Sequence, residues 1–83
     1  MTMTDLVILE FLNDYDLELA PKPLYRNLNR HGHDIGYSTV RGRLPELADK
    51  GLLVKDNDGY YQLSDLGREY LGGEVDADEL EDA

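Results

Sequence analysis

Residues 38–53, STVRGRLPELADKGLL, decide the fold of this chain. Apolar side chains recur in this stretch at the spacing that places them on one face of a helix, and they are Val40, Leu44 and Leu47. Ser38 is a favourable N-cap residue and Gly51 is a typical stop, so we expect a helix between these two positions. Pro45 lacks the backbone donor for the carbonyl four residues earlier and is expected to bend that helix.

The residues that follow favour a β-hairpin and a last helix. Residues 52–55 and 60–63 are strand-like, and DNDG at 56–59 between them has the composition of a tight turn. Ser64 is then expected to cap a helix that ends at the glycine pair 72–73. The apolar residues of this helix are Leu66, Tyr70 and Leu71.

Two more helices are expected upstream. Thr4 is a favourable cap for a helix at 5–14, in which Asp5 stays on the polar face. The apolar face of this helix contains Leu6, Ile8, Leu9, Phe11 and Leu12. After a linker at 15–20, a second helix begins with two prolines in its first turn, where missing backbone donors cost nothing. Its inner face contains Leu24, Tyr25 and Leu28.

A short turn joins the second and third helices. Residues 31–34, HGHD, end the second helix, with Gly32 in the left-handed conformation. Ile35 is expected to form a short buried strand before the third helix. Three helices, a hairpin and a last helix leave few ways to bury all the apolar faces together. A three-helix core with the hairpin at its side does so.

Composition limits the class of protein. A chain of 83 residues has room for one small core. We assign residues 1–72 to a single domain and 73–83 to an acidic tail that we expect to be disordered. The longest apolar run, at 6–9, is far too short for a signal peptide or a membrane span. The lack of cysteine excludes disulfides and fits a reducing compartment, so we expect a soluble, cytoplasmic protein with no membrane partner.

The charge distribution is uneven. A net charge of −10 argues against a nucleic-acid partner, because phosphate neutralisation supplies most non-specific affinity. Between positions 22 and 43, however, Asp34 is the one acidic residue, and most of the basic residues lie there: Lys22, Arg26, Arg30, Arg41 and Arg43. An acidic surface with few lysines is typical of proteins from concentrated salt. At roughly 1 M salt the Debye length is about 3 Å, so remote acidic groups would hardly repel DNA.

The outward face of the third helix is the candidate binding surface. A rotation of about 100° per residue turns five residues away from the core, namely Ser38, Thr39, Arg41, Gly42 and Pro45. This face is narrow near the N-terminal end of the helix, which is the part that enters a major groove. Gly42 would let the backbone approach bases or phosphates, and we add Arg43 to the candidate set. The alternative is that Gly42 only weakens the helix and that both arginines are solvated surface.

The second helix contributes a basic stripe. Lys22 and Arg41 lie near helix starts, where the helix dipole disfavours cations, and this placement suggests phosphate contacts. Arg26 and Arg30 follow Lys22 at intervals of four residues. For Arg30 a solvated helix face is an equally good interpretation. We therefore count Lys22 and Arg26 among the candidate contacts.

The remaining motifs point away from metals, cofactors and catalysis. DNDG at 56–59 resembles part of a calcium loop, but the first and twelfth ligand positions do not match. His31 and His33 have no accompanying cysteine, and histidines are common in such turns without any ligand role. No nucleophile–histidine–acid arrangement and no glycine-rich phosphate loop is suggested. We therefore expect no cofactor, no small-molecule effector and no enzymatic activity.

Residues 38–53 and YYQLSDLG at 60–67 resemble the recognition helix, wing and last helix of winged helix-turn-helix transcriptional regulators. The likeness is greatest to small haloarchaeal, halophage repressor-like members. It covers roughly residues 5–71, and its most specific parts are KGL at 50–52 and a Tyr-x-Leu-Ser-x-x-Gly segment after the hairpin. The resemblance implies an α+β, mostly helical fold.

The resemblance also implies that double-stranded DNA is the partner. It implies base or backbone contacts from Ser38, Thr39, Arg41 and Gly42, with Lys22 and Arg26 nearest the backbone. Such regulators usually act as homodimers on two half-sites about one helical turn apart, and the first and last helices are candidates for that interface. Asp56 and Asp58 in the wing depart from the pattern, so we expect weak wing contact with DNA or none.

We therefore expect a sequence-specific repressor that occludes a promoter. One alternative is a winged-helix protein-interaction module that does not bind DNA, for which the acidic wing and tail would be contact surface. Another is a small antagonist that mimics the charge of DNA, which the basic stretch at 22–43 opposes.

Overall fold

The structure, a computed structural model, describes residues 2–73 of the chain. Its elements follow the expected order of three helices, a hairpin and a last helix. They are α1 (Met3–Tyr15), α2 (Pro21–Arg30), α3 (Tyr37–Asp49), β1 (Leu53–Lys55), β2 (Tyr61–Leu63) and α4 (Asp65–Leu71). None of these helices combines the length and apolar character needed to cross a bilayer. The tail predicted at 73–83 lies outside the described residues, apart from Gly73.

Helix α1 begins two residues earlier than predicted. Its N-cap is Thr2 rather than Thr4, and the Thr2 hydroxyl accepts a hydrogen bond from the backbone of Asp5 at 3.1 Å. The Asp5 carboxylate accepts in turn from the Thr2 backbone at 3.1 Å, which completes a capping box. Asp5 was predicted on the polar face, but it has no exposed area. That part of the prediction is wrong, because this carboxylate has partners inside the fold.

The predicted helix faces form one core. Fully or almost fully buried apolar residues come from every element before α4: Ile8, Leu9, Phe11, Leu12, Leu24, Leu28, Val40, Leu44, Leu47, Leu52, Leu53, Tyr61 and Leu63. Burying a leucine side chain contributes about 1.5–3 kcal/mol, so this cluster is the main source of stability. Tyr25, Leu66, Tyr70 and Leu71 are partly buried at its edge.

Helix α3 has a different cap from the one predicted. Gly36 is the N-cap residue, with no side-chain hydrogen bond, and Ser38 lies inside the first turn. The helix continues through Pro45 to Asp49 without a break. At the C-terminal end Gly51 has a φ of 80°, and the Leu52 backbone donates to the Leu47 carbonyl at 3.0 Å. This Schellman arrangement confirms Gly51 as the stop and turns the chain directly into β1.

The hairpin gains a third, unpredicted partner. Strands β1 and β2 pair antiparallel, with Leu53 opposite Leu63 and Lys55 opposite Tyr61. On the other side of β2, Leu19 and Tyr61 exchange two backbone hydrogen bonds of 2.9 Å. The bridge therefore comes from the segment predicted as a plain linker. Ile35, for which a short strand was predicted, has no strand structure and is only partly buried.

Helix α4 packs closely on the start of the hairpin. The Ser64 hydroxyl caps it by accepting from the Gly67 backbone at 2.9 Å, as predicted, and donates to the Gly51 carbonyl at 2.6 Å. Gly67 is buried, and a Cβ placed there would overlap the Leu52 carbonyl oxygen. The absence of a side chain at position 67 thus permits the close approach of α4 to the core.

Candidate nucleic-acid interface

A hydrogen-bonded asparagine and a pair of tyrosine rings connect α2, the turn after it and the start of α3. The Asn29 side-chain amide donates to the Tyr25 carbonyl at 3.0 Å and to the Ile35 carbonyl at 2.9 Å, which links α2 to the segment before α3. Gly32 lies in the turn with a φ of 93°, as predicted. The Tyr25 and Tyr37 rings meet edge to face, with centroids 5.6 Å apart. The start of α3 is therefore held against α2 by contacts that do not use its outward face.

The outward face of α3 is open to solvent. Val40, Leu44 and Leu47 are fully buried, as predicted from their spacing. The predicted outward residues are all exposed, and they are Ser38, Thr39, Arg41, Gly42 and Pro45. Apart from the backbone of α3 itself, no atom of the described residues lies within 4 Å of the position that a Cβ on Gly42 would occupy. This face is small, polar and unobstructed, as the insertion of a helix into a groove requires.

Arg43 is the predicted site residue that the structure separates from this group. Its guanidinium faces the start of α1, where Nε donates to Asp5 Oδ1 at 2.7 Å and Nη2 donates to Asp5 Oδ2 at 2.9 Å. The Asp5 side chain is fully buried, and 28% of the Arg43 side chain is exposed. Both nitrogens that face Asp5 are occupied by this bidentate pair. Arg43 therefore has an acidic partner inside the protein, whereas Arg41 forms no ion pair with any of the residues 2–73.

The pair sets the charge state of Asp5. Burial by itself would raise the pKa of the Asp5 carboxyl, but hydrogen bonds from Arg43 and Thr2, together with the Arg43 charge, lower that pKa below its ordinary value. The hydrogen bond to Asp5 likewise raises the pKa of Arg43. Asp5 is thus a buried carboxylate that stays ionised at neutral pH. Its negative charge is neutralised locally by Arg43 and does not face the outward side of α3.

The basic side chains of α2 are available for a partner. Lys22, Arg26 and Arg30 are exposed, and the ion pairs within residues 2–73 involve only Arg43 and Arg68 among the cations. The N-cap residues of α2 and α3 are Ala20 and Gly36, and neither helix has a side-chain cap. The start of α3 therefore leaves backbone N–H donors for an anion, whereas Pro21 and Pro23 at the start of α2 have no N–H to offer. The helix dipole favours negative charge at both starts.

The wing uses one of its acidic residues for its own turn. The Asp56 carboxylate accepts from the backbone of Asp58 at 2.9 Å and from that of Tyr60 at 3.0 Å. Gly59 follows with a φ of 86°. The Asp58 side chain is exposed, and the Lys55 ammonium lies 5.9 Å from the centre of the Tyr61 ring. The wing tip therefore presents more negative than positive charge.

The two histidines lie away from the outward face of α3. His31 packs against Phe11 and Tyr15, with ring centroids 5.3 Å and 5.1 Å apart, and its Nδ1 is 3.4 Å from the Tyr15 hydroxyl. These rings border a surface cleft of about 200 Å³ that His33 also lines. Over the described part of the chain, no three histidine or acidic side chains are arranged to hold a metal ion. The cluster attaches the end of α1 to the turn between α2 and α3.

Two features of the site were missed from the sequence. The first is the Asp5–Arg43 pair, for which the one local signal is the Thr-x-x-Asp spacing at 2–5, typical of a capping box. The second is the contribution of Asn29 to the turn. An asparagine in the last turn of a helix carries no periodic signal, because its partners are defined only once the turn has formed.

Comparisons with known proteins identify the family. The family model described as winged helix-turn-helix phage repressor matches residues 1–83. A repressor protein of Halobacterium phage phiH is 38% identical over 88 aligned positions, which cover 100% of this chain and 92% of the phage protein. The crystal structure of the PhiH1 repressor-like protein from Haloarcula marismortui superposes with a TM-score of 0.79 at 38% identity, covering 93% of this chain and 83% of that one. Together with the three-helix core and the hairpin beside it, these matches show that the chain belongs to the winged helix-turn-helix phage repressor family.

Proposed function

We propose that this protein is a sequence-specific repressor that binds double-stranded DNA in the cytoplasm, with α3 in the major groove and the start of α2 on the phosphate backbone. The observation that carries the proposal is the exposed outward face of α3, together with four exposed cations that form no ion pair with any acidic residue among residues 2–73. Those cations are Lys22, Arg26, Arg30 and Arg41. Membership of a repressor family supports a regulator without enzymatic activity.

Each candidate contact has a specific role in this proposal. Ser38, Thr39 and Arg41 lie in the first part of α3, which is the part of a recognition helix that reaches base edges. Gly42 and Pro45 present little side chain and allow the helix to lie close to the duplex. Lys22 and Arg26 contact phosphates, which fix orientation but carry no sequence information. The wing stays outside the main interface, because Asp58 would repel the backbone.

The repressor family relatives come from a halophage and a haloarchaeon, so the binding test belongs in molar salt. A duplex selected from a random pool is titrated at several salt concentrations. Arg41→Ala should weaken specific binding by about 1–3 kcal/mol if Arg41 reads a base, or reduce the salt slope by about one if it contacts a phosphate. The matched control is Lys50→Ala, which removes one positive charge at the C-cap of α3, away from the first part of that helix and outside α1 and α4. Equal binding by wild type and Arg41→Ala would contradict the assignment of α3.

We also propose that two copies bind one operator through α1 and α4. One module alone buries too little surface for high specificity, whereas two copies can read half-sites about one helical turn apart. Met3 on α1 is 76% exposed, and Tyr15 is 50% exposed. Met3→Glu should shift the sedimenting species from dimer to monomer and weaken operator binding. A wild-type protein that is monomeric both free and on DNA would contradict the dimer.

The protein-interaction alternative is judged by the same titration. Absence of duplex binding by the wild-type protein at every salt concentration would favour it over DNA binding. In that case the acidic wing, with Asp58 exposed at its tip, is the first surface to substitute.

A further inference from the structure

We propose that Arg43 is a positioning residue for DNA binding, which sets the orientation of α3 through the buried Asp5 and does not contact DNA itself. This inference rests on the proposed function and adds to it the element that holds the recognition helix in place. The pair joins α3 to the first turn of α1 across 38 positions of sequence. Its two hydrogen bonds, 2.7 Å and 2.9 Å long, occupy both carboxylate oxygens of Asp5.

The carboxylate that receives Arg43 is itself held in place. Oδ2 of Asp5 also accepts from the Thr2 backbone at 3.1 Å, and the Asp5 backbone donates to the Thr2 hydroxyl at the same distance. The capping box therefore fixes the position of the carboxylate at the start of α1. Because the guanidinium fork is planar, a bidentate pair fixes both the distance and the angle between the two side chains. Each step of the connection from α1 to α3 is therefore a hydrogen bond.

Apolar packing and the contacts of Asn29 and Tyr37 hold α3 against α2, and the Asp5–Arg43 pair adds a directional contact from α1. Val40, Leu44 and Leu47 are fully buried, but hydrophobic attraction is non-directional and does not by itself define an angle between two helices. Arg43 lies two residues from Arg41 and one from Gly42, so at about 100° per residue they point to different sides of α3. A rotation of α3 about its axis that breaks the contact with Asp5 would therefore also change the direction in which Arg41 points. The pair thus sets the rotation of α3 about its own axis, and with it the direction in which Arg41 points.

The pair is suited to a medium rich in salt. Screening weakens exposed charge interactions strongly and buried ones much less. Asp5 is fully buried, whereas the cations proposed to contact phosphates are exposed. Glu46 is the other charged side chain acting on Arg43. The orientation of α3 should therefore persist at salt concentrations that weaken the phosphate contacts.

The test compares Arg43→Lys, Arg43→Met and Asp5→Asn with Arg41→Ala, using the full chain in molar salt and the duplex selected for the wild type. Positioning predicts that Arg43→Lys and Asp5→Asn each weaken specific binding by about tenfold, with the salt slope unchanged. Asp5→Asn is the sharpest variant, since it removes a negative charge and would strengthen binding if only net charge mattered. The double variant Asp5→Asn/Arg43→Met should lose little more than either single variant.

Two results would overturn the proposal. One is a salt slope reduced by about one in Arg43→Met together with full affinity in Asp5→Asn, because Arg43 would then contact a phosphate. The other comes from the free protein, in which Arg43→Lys should shift the amide signals of residues 38–42 by NMR while the core signals confirm that the variant is folded. Unchanged signals at 38–42 would show that the pair does not orient α3. If the wild type binds no duplex, the proposed function fails. The NMR comparison of the free proteins then decides by itself whether the Asp5–Arg43 pair orients α3.

Discussion

A matched pair of glycine substitutions tests how α4 packs on the hairpin. An alanine Cβ at position 67 would overlap the Leu52 carbonyl oxygen and lie 2.6 Å from Leu63 Cδ1, where about 3.5 Å is the normal carbon separation. Relief requires α4 to move by about 1 Å, and overpacking of this kind costs about 1–3 kcal/mol. The Leu52 carbonyl also accepts from Ser64, so displacing it weakens a bond of about 1 kcal/mol. The better helix propensity of alanine recovers about 1 kcal/mol.

The net expectation for Gly67→Ala is a loss of about 2 kcal/mol in the free energy of unfolding. For a domain of this size that lowers the melting temperature by about 8–16 °C. Gly42→Ala is the control, because the same chemical change in α3 meets no neighbouring atom and should stabilise by up to about 1 kcal/mol. Circular dichroism melts of both variants in one buffer measure the difference. A Gly67→Ala protein as stable as the wild type would refute the close packing of α4, whatever Gly42→Ala does.

Three further outcomes are expected. Leu44→Ala should lower the free energy of unfolding by about 2–5 kcal/mol in urea titrations, since Leu44 is fully buried; a loss below about 1 kcal/mol would contradict its place in the core. Because the folded pKa of Asp5 is lowered, its stabilisation is present above the unfolded pKa of about 3.9 and is lost as pH falls through the folded pKa. In Asp5→Asn the free energy of unfolding should fall less steeply with decreasing pH than in the wild type. An unchanged dependence at acid pH would show that other carboxylates cause the loss of stability. Asp56→Ala should destabilise by about 1 kcal/mol, because the side-chain oxygen that accepts two backbone hydrogen bonds is lost, while Asp56→Asn keeps that oxygen and the stability. An Asp56→Ala protein with the melting temperature of the wild type would show that the side-chain oxygen does not stabilise the turn.

The fold could be predicted from local sequence patterns, because the spacing of apolar residues within each helix decides which side chains enter the core. The burial of Val40, Leu44 and Leu47 follows from a period that any helix must obey. Helix starts were less predictable: Thr2 and Thr4 are both good caps, and their choice depends on the reciprocal bond to Asp5. Ser38 and Gly36 compete in the same way as N-cap residues of α3, and Gly36 is the N-cap in the structure.

Contacts between distant residues were beyond the reach of such patterns. The Leu19–Tyr61 bridge joins residues far apart in sequence, and nothing in the composition of 15–20 distinguishes it from an ordinary linker. The Asp5–Arg43 pair likewise depends on where α1 and α3 meet. For the candidate site, exposure of the α3 face could be predicted, whereas the internal partner of Arg43 could not, because a basic residue on a helix looks the same in sequence whether its partner is a phosphate or a buried carboxylate.

The construction of the wing turn bears on how new operator preferences can arise. Asp56 builds the turn through its side-chain oxygen, a role that an asparagine oxygen also fills, and Asp58 contributes only its backbone donor. The net charge of the wing tip can therefore change while the backbone conformation of the turn stays the same. Two substitutions, Asp56→Asn and Asp58→Lys, would turn a repelling loop into one that attracts phosphates while preserving every backbone bond of the turn. A wing that attracts phosphates is therefore only two substitutions away, and the backbone of the hairpin would not have to change.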